Sequence, residues 1–188
     1  MLGIDYSMAH LGVLSSGEYI DYPQFMKNNL DKLAKLERKL SKCLPKSNNW
    51  YKRKNDIARL HIKIRNQRRD FLNKKALELA TRYDVIVIED LDLQEMSKHN
   101  HYGKSIYDNS YNMFTSKLKY KLDVKGKELV KVNKYFPSSK KCSNCGNVLN
   151  SLSLSTRVNT CECGNKIDRD YNAAINIAIE GFRMIYQI

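Results

Sequence analysis

The sequence contains no apolar run approaching the roughly 20 residues that a bilayer-spanning helix needs, which excludes a helical membrane protein. Its start, Met1-Leu2-Gly3-Ile4-Asp5, has no charged segment followed by an apolar one, so no secretory signal is expected. Lipidation motifs and basic amphipathic helices with bulky apolar anchors are missing too, and no membrane partner is predicted. Together these absences predict a cytoplasmic protein. There is no internal repeat and no low-complexity tract. Histidine is scarce, and His99 and His101 show no ligand spacing, so an exposed loop is expected there. Acidic residues are the scarcer charge, 20 against 33 lysines and arginines, leaving a net charge of +13. Such an excess points to a polyanion, nucleic acid above all, held by contacts that weaken steeply with salt.

What is present suits a globular chain. With 188 residues and 42% hydrophobic content, it can bury one good core beside a small satellite module. Five cysteines remain, and in a reducing compartment paired spacings favour metal over disulfides. Cys43 stands alone and is read as a bystander. Cys142-Ser143-Asn144-Cys145-Gly146 and Cys161-Glu162-Cys163-Gly164 form two pairs about fifteen residues apart. Four thiolates so spaced fit a tetrahedral Zn²⁺ site with no open position, hence a structural one. The second pair has one intervening residue, and an extended segment ending in a sharp turn would still aim both thiols at one ion.

Along the chain, Leu2 to Ser7 and His10 to Leu14, divided from Tyr19-Ile20-Asp21-Tyr22 by a Ser-Gly turn, predict a hairpin with a third strand. From about Lys27 to Cys43, Leu30, Leu33, Leu36 and Leu40 recur at helical spacing. Pro45, Ser47 and Asn48 break that pattern. A longer helix is predicted from about Tyr51 to Arg82, its stripe being Ile57, Leu60, Ile64, Phe71 and Leu79. The two helices predict an antiparallel hairpin with an a/d-like seam, its basic face turned to phosphate. Val85-Ile86-Val87-Ile88, apolar on both faces, predicts a buried central strand ending in Glu89 and Asp90. Residues 92–107 read as a polar loop. A helix from Asn109 or Ser110 to about Lys125 and an alternating strand over 128–133 follow. This order predicts an α/β protein with a mixed sheet flanked by helices.

Three acids stand out by placement. Asp5 lies within the first strand, where a carboxylate does little for packing; Glu89 ends the buried strand; Asp170 opens the Ala-rich C-terminal helix. Strands in contact could bring Asp5 and Glu89 together. Such oxygen ligands suit Mg²⁺ or Mn²⁺, and two such ions can bracket a scissile phosphodiester. An acid opening a helix is equally a plain N-cap, so Asp170 by itself decides nothing. Asp168 could face the same side, whereas strand alternation puts Asp90 on the face opposite Glu89.

Gly3-Ile4-Asp5, Ile86-Val87-Ile88-Glu89-Asp90-Leu91, Phe136-Pro137-Ser138-Ser139, the cysteine pairs and Asp168-Arg169-Asp170-Tyr171-Asn172-Ala173-Ala174-Ile175-Asn176-Ile177 occur in this order over nearly the whole chain. In them the sequence resembles the TnpB family, transposon-encoded, RNA-guided DNA nucleases related to type V CRISPR effectors. The resemblance implies a RuvC-type, RNase H-like domain over residues 1–137 and 165–188. It also implies a helical hairpin inserted at about 27–82 and a zinc ribbon at 138–164. The activity implied is a metal-dependent DNA endonuclease with Asp5, Glu89 and Asp170 holding Mg²⁺ or Mn²⁺, and Cys142, Cys145, Cys161 and Cys163 holding Zn²⁺. The family pattern chooses Asp170, the acid just before Tyr171-Asn172-Ala173-Ala174, over Asp168, and Glu89 over Asp90. DNA and a guide RNA are the implied partners. Family members carry an N-terminal half that handles the guide, whereas this chain starts almost on the first RuvC strand, so a catalytic half is expected. The competing reading is a catalytically silent nucleic-acid-binding module of the same descent. Such a module would be expected to lose active-site acids, and all three are kept.

Overall fold

The computed structural model describes residues 1–92, 110–153 and 156–187. The polar stretch read at 92–107, with His99 and His101, lies outside them apart from Asp92. Five strands form the main sheet in the order β3-β2-β1-β4-β5. They are β1 (Leu2–Tyr6), β2 (Gly12–Leu14), β3 (Tyr19–Ile20), β4 (Val85–Glu89) and β5 (Glu128–Val132). The first three form an antiparallel meander, while β4 and β5 run parallel to β1, so the sheet is mixed as predicted.

Alternation assigns the two faces. Leu2, Ile4, Ile86 and Ile88 join one core with Leu72, Ala76, Leu79 and Ala80 of α2 (Asn48–Arg82) and Phe114, Leu118 and Leu122 of α3 (Tyr111–Val124). Val87, Val130 and Val132 turn the other way, onto Ile177 of α4 (Arg169–Tyr186). A strand apolar on both faces is thereby buried on both, which is why β4 tolerates no polar residue before Glu89.

The helical insertion departs from its prediction in two ways. α2 begins before Tyr51, because Ser47 is its cap: the Ser47 hydroxyl accepts from the Trp50 amide at 3.2 Å. Residues read as breakers thus start the helix. The seam with α1 (Leu30–Ser41) is also short: Leu33, Leu60 and Ile64 close it. Beyond Ile64 the apolar stripe of α2 serves the sheet, and Leu72 rather than Phe71 enters the main core. A helix of 35 residues, about 50 Å long, is too long for its partner to cover.

A second sheet pairs β6 (Val158–Thr160) with β7 (Lys166–Asp168), and β7 passes into α4 with no linker. α4 lies flush on the main sheet. A Cβ on Gly3 would stand 2.1 Å from the Ala174 carbonyl oxygen, and one on Gly181 would stand 2.4 Å from a Val87 methyl. Only glycine permits that approach. Among the described residues, no helix is long and apolar enough to cross a membrane.

Candidate active site and metal centre

Parallel pairing sets Leu2, Gly3 and Ile4 beside Ile86, Val87 and Ile88. Asp5 and Glu89 are the next residues of their strands and project from the face of Gly3 and Val87, the one α4 covers. α4 passes Ala178 and Ala174 over Gly3, so toward its N-terminus it brings Asp170 over Asp5. The three acids therefore meet at the C-terminal ends of two parallel strands, where open α/β sheets bind ligands. The positive end of a helix dipole faces them.

The electrostatics follow from that convergence. Asp5 keeps some accessible surface, yet protein atoms crowd its carboxyl. Burial, then the charges of Glu89 and Asp170, raise its pKa well above the carboxylate range, against a lowering by Arg169. Burial likewise raises Glu89, and a hydrogen bond donated by the Ser138 hydroxyl to Glu89 Oε1 opposes the rise. Beneath them burial, with Asp5 and Glu89 adding to it, pushes the Tyr111 hydroxyl up. That hydroxyl is buried with no hydrogen-bond partner among the described residues. Acids raised together in this way fit a hard divalent cation, which would relieve both the desolvation and the repulsion.

The acids do not all pack as tightly as metal ligands. Among the described residues, the four cysteines are the one group of three or more His, Cys, Asp or Glu whose ligand atoms all lie within 4.8 Å of one another. Asp170 is instead drawn to Arg169, whose Nη2 and Nε approach its Oδ1 at 2.9 and 3.0 Å. Asp168 has a different occupation: its Oδ1 accepts from the amides of Asp170 and Tyr171 at 3.0 and 2.9 Å. The N-cap of α4 is thus Asp168, and Asp170 sits inside the first turn, free of the capping role. Asp90 leaves the site as alternation requires and pairs with Lys131 at 2.7 Å.

The four cysteines form the second centre. Sγ atoms of Cys142 and Cys163 are 3.8 Å apart, and those of Cys145 and Cys161 are 3.6 Å apart. A disulfide would need about 2.05 Å, whereas Zn–S bonds of about 2.3 Å place tetrahedral sulfurs about 3.8 Å apart. The quartet can hold a metal such as zinc. Each pair lies in a turn closed by a glycine amide, Gly146 to the Cys142 carbonyl and Gly164 to the Cys161 carbonyl, both at 2.9 Å. Both glycines have positive φ, 79° and 85°. This corrects the extended geometry expected for Cys161 and Cys163: a turn brings those thiols together. Burial pushes the Cys142 thiol up, but amides of Cys145 and Asn144 and the Asn165 side chain outweigh it, leaving a pKa of about 6. Such donors favour the thiolate that a metal requires.

Sequence reading missed the residues that join the two centres. Asn172 and Asn176 are buried in α4. Asn172 donates to the Lys141 carbonyl at 2.7 Å and accepts from the Ser143 amide at 3.0 Å. Asn176 donates to the carbonyls of Ser138 and Lys141 at 2.8 and 2.6 Å. Both staple the segment that carries Ser138 on one side and Cys142 on the other. Their signal was present as two asparagines, four residues apart, on the buried face of an apolar helix.

Comparison with known proteins agrees with this architecture. Residues 1–100 match the family model of the IS605 OrfB protein, described as "Probable transposase", and residues 111–177 match a Cas12f1-like TNB domain. A Streptomyces pristinaespiralis relative named "Putative RNA-guided DNA endonuclease" is 38% identical, the match covering 96% of this chain and 45% of that protein. TnpB-like protein L79 of Acanthamoeba polyphaga mimivirus is 33% identical over 86% of this chain and 32% of its own length. The chain therefore spans half or less of the length of these relatives. A cryo-EM structure of a Cas12f1–sgRNA–target DNA complex superposes with a TM-score of 0.68 at 24% identity, covering 94% of this chain and 49% of that one. At that identity the likeness is one of fold.

Proposed function

Since the chain belongs to the TnpB family, that of the IS605 OrfB proteins, we propose that it is the catalytic part of an RNA-guided DNA endonuclease. In this reading residues 1–137 and 165–188 form a RuvC-type, RNase H-like nuclease domain. The hairpin at about 27–82 is its insertion, and 138–164 is a structural zinc ribbon. Supporting it most directly is one observation: two adjacent parallel strands carry Asp5 and Glu89 near their C-terminal ends, close to the first turn of α4, which carries Asp170.

Asp5, Glu89 and Asp170 would hold Mg²⁺ or Mn²⁺, which supplies positive charge to activate water and to stabilise the leaving oxygen of a DNA phosphodiester. The chain's own groups prepare that site. Ser138 fixes the orientation of Glu89, and Arg169 neutralises Asp170 until its carboxylate is needed. Asp168 takes the first amides of α4, so that end offers an incoming phosphate the positive end of the helix dipole. Cys142, Cys145, Cys161 and Cys163 would hold Zn²⁺ and so fix the approach of β7 to α4.

Incubating the full chain with labelled single-stranded DNA and Mg²⁺ or Mn²⁺ tests the assignment. Cleavage is expected, and Asp5→Ala, Glu89→Ala and Asp170→Ala should each reduce it to background. Asp168→Asn should cut normally, because asparagine caps a helix as well as aspartate does. Unchanged cleavage in all three alanine variants overturns the triad. Binding without cleavage under either metal would favour the silent module instead.

A further inference from the structure

A second feature lies on the opposite face of the sheet from the carboxylates. Where α2 and α3 pack together, their outer surfaces leave an open cleft of about 440 Å³. Arg69 and Asn73 line it from α2, and Ser116, Lys117, Tyr120 and Lys121 line it from α3. Both walls are helices rather than loops, and the same two helices bury Leu72, Phe114, Leu118 and Leu122 in the main core.

Three cations share this cleft, and none is balanced by an acid. The acids nearest in sequence are engaged elsewhere: Asp70 pairs with Lys74 at 2.7 Å, and Asp123 with Lys119 at 3.2 Å. Among the described residues, no ion pair involves Arg69, Lys117 or Lys121. Lys117 is instead held by the Asn73 amide oxygen at 2.8 Å. Burial, then the charges of Arg69 and Lys121, lowers its pKa, the mark of a cation lacking a counter-charge. An anion in the cleft would relieve all three. Tyr120 stands at the rim with 63% of its surface exposed, and Lys121 lies over its ring at 5.6 Å. Cations at helical spacing beside an exposed aromatic are the elements of a single-strand site, where phosphates follow charge and a base stacks on the ring.

We propose that the cleft between α2 and α3 binds a single-stranded nucleic acid, Arg69, Lys117 and Lys121 taking its phosphates and Tyr120 stacking a base. The site is separate from the carboxylate centre and does not depend on the reaction proposed there. With Arg69 on one wall and Lys117 and Lys121 on the other, phosphates of a strand laid in the cleft meet charge on both sides. Ser116 and Asn73 offer neutral hydrogen bonds between the charges.

Fluorescence anisotropy of the intact, zinc-loaded chain with labelled oligo(dT) and oligo(U), without added magnesium, tests the proposal over a salt series. The Lys117→Gln/Lys121→Gln variant removes two cleft charges; Lys35→Gln/Lys39→Gln removes two from the exposed side of α1 as a matched control. With a slope of about 0.7 per phosphate contact, the cleft variant should lower the salt slope by about 1.4 and weaken binding about 25-fold at 0.1 M salt. The control should change the affinity far less. Tyr120→Leu should weaken binding at least about fivefold with little change in slope. If the lysine variant is poorly folded by circular dichroism, Arg69→Gln on the other helix should lower the slope by about 0.7 and weaken binding about fivefold. Equal weakening in the cleft and control variants, or an unaffected Tyr120→Leu, overturns the proposal and leaves general attraction to a basic surface. The assay follows binding alone and omits magnesium, so a failed nuclease assignment would leave this result standing.

Discussion

Asp5 is held where folding works against its charge. Burial and two neighbouring carboxylates raise its pKa, so the folded chain takes up that proton more readily than the unfolded chain does. Stability from this protonation is complete below the unfolded value and is lost as pH climbs through the raised folded one. In magnesium-free buffer, the chain should therefore melt at a lower temperature at pH 8 than at pH 5. Asp5→Asn keeps the shape and removes the charge, so it should flatten that dependence and raise the melting temperature at pH 8. Thermal melts of both proteins at the two pH values check this; a parent more stable at pH 8 would contradict the burial of Asp5. A site that sacrifices stability for chemistry behaves in this way. Strand placement singled out Asp5 and the acidic end of β4, because burial is legible over five residues, while the choice of Glu89 over Asp90 came from the family pattern. Asp170 was harder to separate from Asp168, since the chain turns from strand to helix between them and alternation no longer applies.

α4 is the element that ties the two centres together. Its apolar face reads as an ordinary amphipathic helix, and its glycine contacts explain why Gly3 precedes Ile4-Asp5: any side chain there would lift the helix from β1. Asn172 and Asn176 interrupt that apolar face, and their partners lie 29 to 38 residues upstream, a distance at which helical periodicity carries no information. Removing Asn176 leaves the Ser138 carbonyl without its buried donor. Asn176→Leu, similar in size, should destabilise the chain by about 2–3 kcal/mol in chemical denaturation. It should also weaken Mn²⁺ binding followed by electron paramagnetic resonance, because Ser138 no longer orients Glu89. Loss of stability with unchanged Mn²⁺ affinity would confine Asn176 to packing. The opposite lesson comes from α2, whose length was legible but whose change of partner at Ile64 was not. One stripe can serve two cores in turn, and sequence spacing does not record the handover.

At the scale of the molecule, the cysteine module and the main sheet share a covalent and a hydrogen-bonded joint. β7 runs directly into α4, and the asparagine staples hold the first cysteine turn against the same helix. The paired spacing of the cysteines was legible because metal geometry restricts sequence locally. How the module holds α4 was not legible, since that depends on contacts between residues 138–143 and 172–176. Structural zinc contributes on the order of 10–16 kcal/mol to small modules of this kind, so its loss should unfold the ribbon and release the first turn of α4. Treating the zinc-loaded chain with a chelator should remove one zinc ion per chain by elemental analysis. Hydrogen exchange should then rise over residues 138–172, while α2 and α3, packed on the far face through Leu72, Phe114 and Leu118, stay protected. Mn²⁺ binding at the carboxylates should fall in parallel, since both Asp170 and the segment orienting Glu89 are anchored through the ribbon. Retained protection over 138–172 after zinc removal would show that the cysteines are not a folding element. Uniform loss of protection, α2 and α3 included, would show that ribbon and sheet unfold as one unit.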